Sequence, residues 1–126
     1  MKAQHHQVLA DTDVYFPFPP YDIQADYMKK VIQACSSSSN ALLESPTGTG
    51  KTLSLLCGSL AWLRRERSKI AKLYGFDEPV PPEDVPQIIY CSRTHSQLSQ
   101  VQKELKNTAF EPRVALIASR DHLCVN

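Results

Sequence analysis

Apolar residues recur at helical spacing in three stretches of this chain, and the pattern predicts three helices. They are expected over about residues 23–35, 51–67 and 96–107. Asp22 stands where its side chain can cap the first helix. The predicted buried faces comprise Tyr27, Met28, Val31, Ile32 and Cys35, then Leu53, Leu56, Cys57, Leu60 and Leu63, and finally Leu98, Val101 and Leu105.

Short continuous apolar runs lie between these helices and predict buried strands. The predicted strands cover residues 40–44, around an apolar run at 41–43, and residues 88–91 and 114–117. Strands and helices then alternate along the chain, which predicts an α/β layer with a parallel sheet and right-handed crossovers. Ligands of such sheets bind beyond the carboxyl ends of the strands. The loops that follow the first two strands are therefore the candidate functional segments.

The other segments are polar or rich in proline. Residues 1–14 are predicted to form a flexible leader or an edge segment. Residues 16–21 combine prolines with aromatic rings and are expected to be extended. Residues 68–87 are rich in proline and acid, as in an exposed excursion. The chain is thus interpreted as one domain over residues 15–126, preceded by the leader.

Composition narrows the class of protein only slightly. With 126 residues, 42% of them hydrophobic, the chain is sized for one domain with a core. The longest apolar stretch, at about 53–63, is too short to span a membrane, and no hydrophobic leader follows Met1. We therefore expect neither membrane insertion nor secretion. The net charge of +1 excludes nothing, and the cations at Arg64, Arg65, Arg67, Lys69 and Lys72 are expected to form a solvated last helical turn.

A phosphate-binding loop is predicted directly after the first strand. Small and turn-forming residues let backbone N–H groups converge on a phosphate, and the following helix contributes its positive end. A lysine then supplies a mobile cation, and a hydroxyl supplies a Mg²⁺ ligand. The alternative is an ordinary glycine turn with a helix-capping threonine. The loop reads Ser45-Pro46-Thr47-Gly48-Thr49-Gly50-Lys51-Thr52, with serine at a position where such loops usually have glycine.

The four cysteines are too widely spaced for a paired metal motif or a disulfide-rich framework. Cys35, Cys57 and Cys91 lie within apolar patterns and are predicted core residues. Cys124 differs, because it lies in a polar segment.

Three segments together resemble one family. They are the loop with the preceding Leu42-Leu43-Glu44, the run Ser92-Arg93-Thr94-His95-Ser96-Gln97, and the ending Ser119-Arg120-Asp121-His122-Leu123-Cys124. The chain resembles the N-terminal part of the first motor domain of the XPD-like iron-sulfur DNA helicases of superfamily 2, in the subgroup of RTEL, FANCJ and the ChlR-type helicases. The resemblance implies a partial RecA-like P-loop domain with a parallel sheet and flanking helices.

By this resemblance, Ser45 to Thr52 is helicase motif I, which binds ATP and Mg²⁺. Lys51 and Thr52 are the expected phosphate and Mg²⁺ contacts. Tyr21 and Gln24 are similar to the region that holds adenine, where an aromatic ring stacks on the base and an amide reads its edge. The alternative for these two residues is a packed edge of the sheet.

The second loop resembles motif Ia, which touches the backbone of single-stranded DNA. Ser92, Arg93, Thr94 and His95 are the implied contacts, because hydroxyls, a guanidinium and helix-start N–H groups bind phosphate without reading sequence. The same residues also suit an ordinary helix cap. Cys124 matches the first of four ligands of a 4Fe-4S cluster, which it can serve only in a longer protein.

The resemblance therefore implies an ATP-dependent DNA helicase of genome maintenance, read from an N-terminal fragment. Its expected partners are single-stranded or forked DNA and the remainder of the helicase chain, in a nuclear protein that acts as a monomer. No Asp-Glu-Ala-His segment is present to hold Mg²⁺ and orient water, so this chain alone is not expected to unwind DNA. The alternatives are a noncatalytic short isoform that binds nucleotide or DNA, and a small P-loop kinase, which would leave the second loop unexplained.

Overall fold

The computed structural model describes residues 4–75, 79–119 and 123 of the chain. In this part of the chain a β-hairpin and three α-helices surround one apolar core, and no helix is long and apolar enough to cross a membrane. The elements are β1 (His5–Leu9), β2 (Thr12–Phe16), α1 (Asp22–Ser36), α2 (Lys51–Tyr74) and α3 (His95–Leu105), with a short 3-10 turn at Pro82–Asp84.

The hairpin replaces most of the predicted flexible leader. Strands β1 and β2 pair antiparallel, with His5 opposite Phe16 and Leu9 opposite Thr12. Val14 and Phe16 point inward and are fully buried. The sequence signal for this hairpin is weak for two reasons. Strand β1 is mostly polar, and its two-residue turn lacks the glycine that usually provides the left-handed backbone of such turns. The described part of the segment therefore fits the edge segment, which was the alternative to a leader.

Helix α1 begins one residue earlier than predicted, and its cap differs. Tyr21, not Asp22, is the N-cap residue, and its N–H donates to the side-chain Oε1 of Gln24 over 3.0 Å. Gln24 can do this because it lies at the third helical position, from which an amide reaches back to the cap. The predicted inward face is confirmed, since Met28 and Ile32 are fully buried.

Helix α2 packs against α1 and extends seven residues beyond its predicted end. All five predicted core residues of α2 are buried. The two helices approach closely at Gly58, where a Cβ atom would lie 3.3 Å from the Cα of Met28. The helix continues because residues 68–74 are good helix formers, and it stops at Gly75, whose φ is +79°. The predicted excursion at 68–87 therefore starts too early.

The prediction of a solvated cationic turn is wrong for Arg65, whose side chain is hydrogen-bonded within the fold. Its guanidinium donates to the Ala10 carbonyl over 3.2 Å and to the Thr12 hydroxyl over 2.5 Å. A third bond of 2.7 Å reaches the Ser36 hydroxyl at the end of α1. A planar guanidinium with five donors suits such a junction. Arg65 therefore joins the hairpin, α1 and α2.

Helix α3 covers His95–Leu105, close to its predicted range. Val101 and Leu105 pack against the core, so the predicted inward face is confirmed for these two residues, whereas Leu98 is only half-buried. Phe110 closes the core beside them and is 8% exposed.

The predicted parallel sheet is not present in the residues that the structure describes. The three apolar runs have no ladder partners within the described residues, and one apolar residue of each, Leu42, Ile89 and Ile117, is 99%, 82% and 87% exposed. A parallel strand is stable only between neighbouring strands and with both faces covered. In the described part of the chain, these runs have neither neighbouring strands nor elements that cover both of their faces. The chain is a mixture of helix and strand, as predicted, but its only sheet within the described ranges is the antiparallel hairpin.

The cysteines provide a direct check of this fold. Cys57 is fully buried, and burial, with a smaller contribution from Glu104, raises the pKa of its thiol to about 12. Cys91 is exposed, so its predicted place in the core is wrong; Cys35 is half-buried. We expect iodoacetamide at pH 8 to alkylate Cys91 and spare Cys57, because the thiolate is the reactive form. Peptide mapping by mass spectrometry measures both, and rapid native labelling of Cys57 would contradict this core.

Candidate nucleotide site and nucleic-acid interface

The predicted phosphate loop runs directly into the N-terminus of α2. Gly48 and Gly50 have φ of +82° and +70°, which L side chains rarely adopt. Gly50 is the N-cap residue, and its carbonyl accepts the first helical bond from the Ser54 N–H over 3.0 Å. The N–H groups of the first turn have no partners within the helix, and the helix dipole adds positive potential. This end of α2 has the form of an anion site.

Lys51 folds back over the loop. Its Nζ donates to the Ser45 carbonyl over 2.7 Å, while the residue itself is exposed. A hydrogen bond from an ammonium to an anionic oxygen is stronger than one to a neutral carbonyl. A phosphate group can therefore draw Lys51 away from Ser45. Thr52, the predicted Mg²⁺ ligand, is half-buried in the first turn of α2.

Ser45 occupies the position at which such loops usually carry glycine. It is 6% exposed and therefore belongs to the interior of the loop, whereas Pro46 and Thr47 are exposed. Ser45 does not have a positive φ, so a residue other than glycine fits this position without backbone strain.

Gln24 touches the loop, although 25 residues separate it from its partner. Its Nε2 donates to the Thr49 carbonyl over 3.1 Å, and the residue is 4% exposed. A Cβ atom on Gly50 would lie 2.8 Å from this Nε2, so the close approach depends on glycine. Tyr21 lies beside it with 71% of its surface exposed. Of the two residues predicted to hold adenine, Gln24 thus contacts the predicted phosphate loop, and Tyr21 contacts Gln24.

Sequence reasoning missed the contact between Gln24 and Thr49. The available signal was a polar amide within the apolar face of α1, since a buried amide needs hydrogen-bond partners. Its partner could not be inferred from local pattern.

The donor set of the loop suits a polyphosphate better than a resident metal. It consists of backbone N–H groups, one ammonium and hydroxyls, which are phosphate donors, and Thr52 supplies one oxygen for a phosphate-bound Mg²⁺. Within the described ranges, no group of three or more histidine, cysteine or acidic side chains could hold a metal ion. Cys124, the predicted cluster ligand, lies outside the described residues, so nothing in this structure supports an iron-sulfur site.

The second predicted loop is an ordered, exposed turn at the start of α3. The Thr94 hydroxyl accepts from the Gln97 N–H over 3.3 Å and caps the helix. The Ser92 hydroxyl donates to the Gln97 side chain over 2.7 Å. Arg93 is exposed and has no hydrogen bond or ion pair with the described part of the chain, and His95 is the first helical residue. The helix-cap interpretation is thus confirmed for Thr94, and DNA contact stays a prediction.

Comparison with known proteins adds independent evidence. The family model DEAD_2 matches residues 90–126, which include the second loop. A regulator of telomere elongation helicase 1 homolog from Drosophila ananassae is 45% identical over 94% of the chain, and the mouse regulator of telomere elongation helicase 1 is 42% identical over 94%.

The chain spans 14% of the fly relative and 12% of the mouse relative. No solved structure matches it. The alignments with the relatives include nearly the whole chain. The match to the family model includes two of the three segments on which the resemblance was based, residues 92–97 and 119–124. These similarities support an RTEL-like N-terminal segment of an XPD-family helicase.

Proposed function

We propose that this chain is the ATP-binding part of the first motor domain of a DNA helicase that acts in genome maintenance in the nucleus. The observation that carries the proposal is the loop at the start of α2, with Lys51 over it and the buried Gln24 against it. The names of the relatives support DNA and telomeres as the setting.

In this proposal the backbone N–H groups at the start of α2 hold the terminal phosphates. Lys51 exchanges the Ser45 carbonyl for a phosphate oxygen, and the Thr52 hydroxyl binds the accompanying Mg²⁺. Bound ATP–Mg²⁺ supplies the cleavable phosphoanhydride. The exposed Tyr21 ring stacks on adenine, and the second N–H of Gln24 Nε2 reads the base edge.

Hydrolysis also requires a carboxylate that holds the metal and orients water, and a second motor domain that supplies arginines. We propose that the rest of the helicase provides both, as well as the 4Fe-4S ligands that would join Cys124. The same completion would allow residues 40–44, 88–91 and 114–117 to pair as parallel strands. Cys91 would then lie inside the sheet, so alkylation that is fast in the 126-residue chain should become slow in the complete protein.

We further propose that the exposed turn before α3 holds the backbone of single-stranded DNA. Arg93 is available to a phosphate, since no described group engages it. The hydroxyls of Ser92 and Thr94 and the N–H groups of the helix start lie in the same turn, and His95 borders it. These groups bind phosphate without reading sequence.

The experiment must separate DNA contact from helix capping at Thr94. Aspartate caps a helix at least as well as threonine, but its charge repels phosphate. Thr94→Asp should therefore preserve α3 and weaken binding of an oligo-dT strand. Arg93→Gln should reduce the slope of log affinity against log salt concentration by about 0.7, as expected for one lost phosphate contact.

Fluorescence anisotropy of the complete protein measures both variants. Lys106→Gln, at the opposite end of α3, is the control for a lost surface cation and should bind as the wild type does. Wild-type affinity in Thr94→Asp would return this turn to a purely structural role. Nucleotide and DNA binding without hydrolysis in the complete gene product would favour the noncatalytic module instead.

A further inference from the structure

Two hydroxyl groups inside the phosphate loop form a directional chain. The Thr49 hydroxyl donates to the Pro46 carbonyl over 2.7 Å, since a carbonyl can only accept. A hydroxyl has one proton, so the 2.5 Å contact between Thr49 and Ser45 must be donated by Ser45. The order is Ser45 to Thr49 to Pro46.

This chain leaves neither hydroxyl a proton to give to a ligand. The Ser45 proton lies on Thr49, and the Thr49 proton lies on Pro46. Ser45 is also 6% exposed and lies in the interior of the loop. Their influence on a bound phosphate must therefore pass through the shape of the loop.

The backbone carbonyls of the same two residues connect the two halves of the proposed site. The Thr49 carbonyl accepts from Gln24 on the adenine side over 3.1 Å. The Ser45 carbonyl accepts from Lys51 on the phosphate side over 2.7 Å. The hydroxyl contact is thus the link between the residue that holds Gln24 and the residue that holds Lys51.

We propose that the hydroxyls of Ser45 and Thr49 act as one positioning unit, which keeps the loop in the shape that nucleotide binding requires. The inference rests on the proposed ATP-binding function, and it assigns a role to the serine that stands in place of glycine. Ser45→Ala and Thr49→Val each remove one half of the unit with little change in side-chain volume. Thr49→Ser retains the hydroxyl and loses only a methyl group.

The test is the affinity of the complete protein for ADP, measured by calorimetry. Loss of one neutral hydrogen bond corresponds to about a three- to tenfold weaker affinity, which we expect in Ser45→Ala and in Thr49→Val. The double variant should be no weaker than the weaker single variant, because the two changes break the same link. Thr49→Ser should bind within about twofold of the wild type, and the melting temperature of every variant should stay near that of the wild type.

Each other outcome has a defined meaning. If the losses of ADP affinity in the two single variants add up in the double variant, the two hydroxyls act independently and the proposed unit is overturned. Wild-type ADP affinity in both single variants would overturn it as well. Failure of Thr49→Ser to restore binding, or losses that follow a lowered melting temperature, would equally overturn it. Lys51→Ala separates this proposal from the proposed function. If that variant binds ADP as the wild type does, the ATP-binding function itself is wrong; if it loses ADP binding, a negative result for Ser45 and Thr49 concerns only the hydroxyl unit.

Discussion

Replacing Lys51 with alanine is expected to abolish ATP hydrolysis by the complete protein while sparing its fold. The ammonium would stabilise negative charge on the transferred phosphoryl group, and loss of one such preorganised group costs about 100-fold or more in rate. In the structure its hydrogen-bond partner is the Ser45 carbonyl, at 2.7 Å. Because the residue is exposed, losing that bond should lower the free energy of unfolding by no more than about 1 kcal/mol.

Steady-state phosphate release measures the rate, and thermal melting measures the fold. Lys72→Ala is the matched control, since Lys72 is an exposed lysine on the same helix but near its other end. This control should hydrolyse ATP as the wild type does. If Lys51→Ala hydrolyses ATP at the wild-type rate, residues 45–52 are not the phosphate-binding loop. If its melting temperature is far below that of Lys72→Ala, Lys51 stabilises the fold instead.

Replacing Phe16 with alanine is expected to destabilise the chain by about 3 to 5 kcal/mol, which is the usual cost of deleting a buried aromatic ring. Phe16 is fully buried at the end of β2, and its ring lies edge-on to that of Phe18 at a centroid distance of 4.9 Å. A small domain has only about 5 to 15 kcal/mol of stability, so the variant should be close to unfolding.

Urea unfolding of the 126-residue chain, followed by the fluorescence of its single tryptophan Trp62, measures this loss. Val8→Ala on β1 is the control, because Val8 is 63% exposed and its loss should cost less than about 0.5 kcal/mol. Equal midpoints for the two variants would return the hairpin to the flexible leader that the sequence pattern suggested.

Features that depend on residues close together in the sequence were predicted better than features that depend on distant residues. Helices α1, α2 and α3 were predicted because their apolar faces repeat every three to four residues, which is a local signal. The hairpin was missed because its turn, at Ala10 and Asp11, uses left-handed backbone without glycine, and φ is 45° and 55° there. The parallel sheet was predicted from apolar runs that are unpaired in the described residues, since an apolar run alone cannot distinguish a paired strand from an unpaired segment.

The candidate site shows the same division. The order of glycines, lysine and threonine from Gly48 to Thr52 predicted the loop and its place before a helix. It did not predict that Gln24 would donate to the Thr49 carbonyl, nor that Ser45 would use its hydroxyl within the loop. The first contact depends on how α1 packs against α2, whereas the second lies within the loop and depends on its backbone shape.

The amino-acid sequence by itself determined the three helices, the glycine-containing turn before α2 and the resemblance to the helicase family, because each is encoded in neighbouring residues. Only the tertiary structure decided that the hairpin belongs to the core, that Arg65 joins it to both long helices, and that Gln24 supports the loop. The reason is physical. These contacts span 25 to 55 residues, so they form only when packing of the apolar faces brings the two partners together.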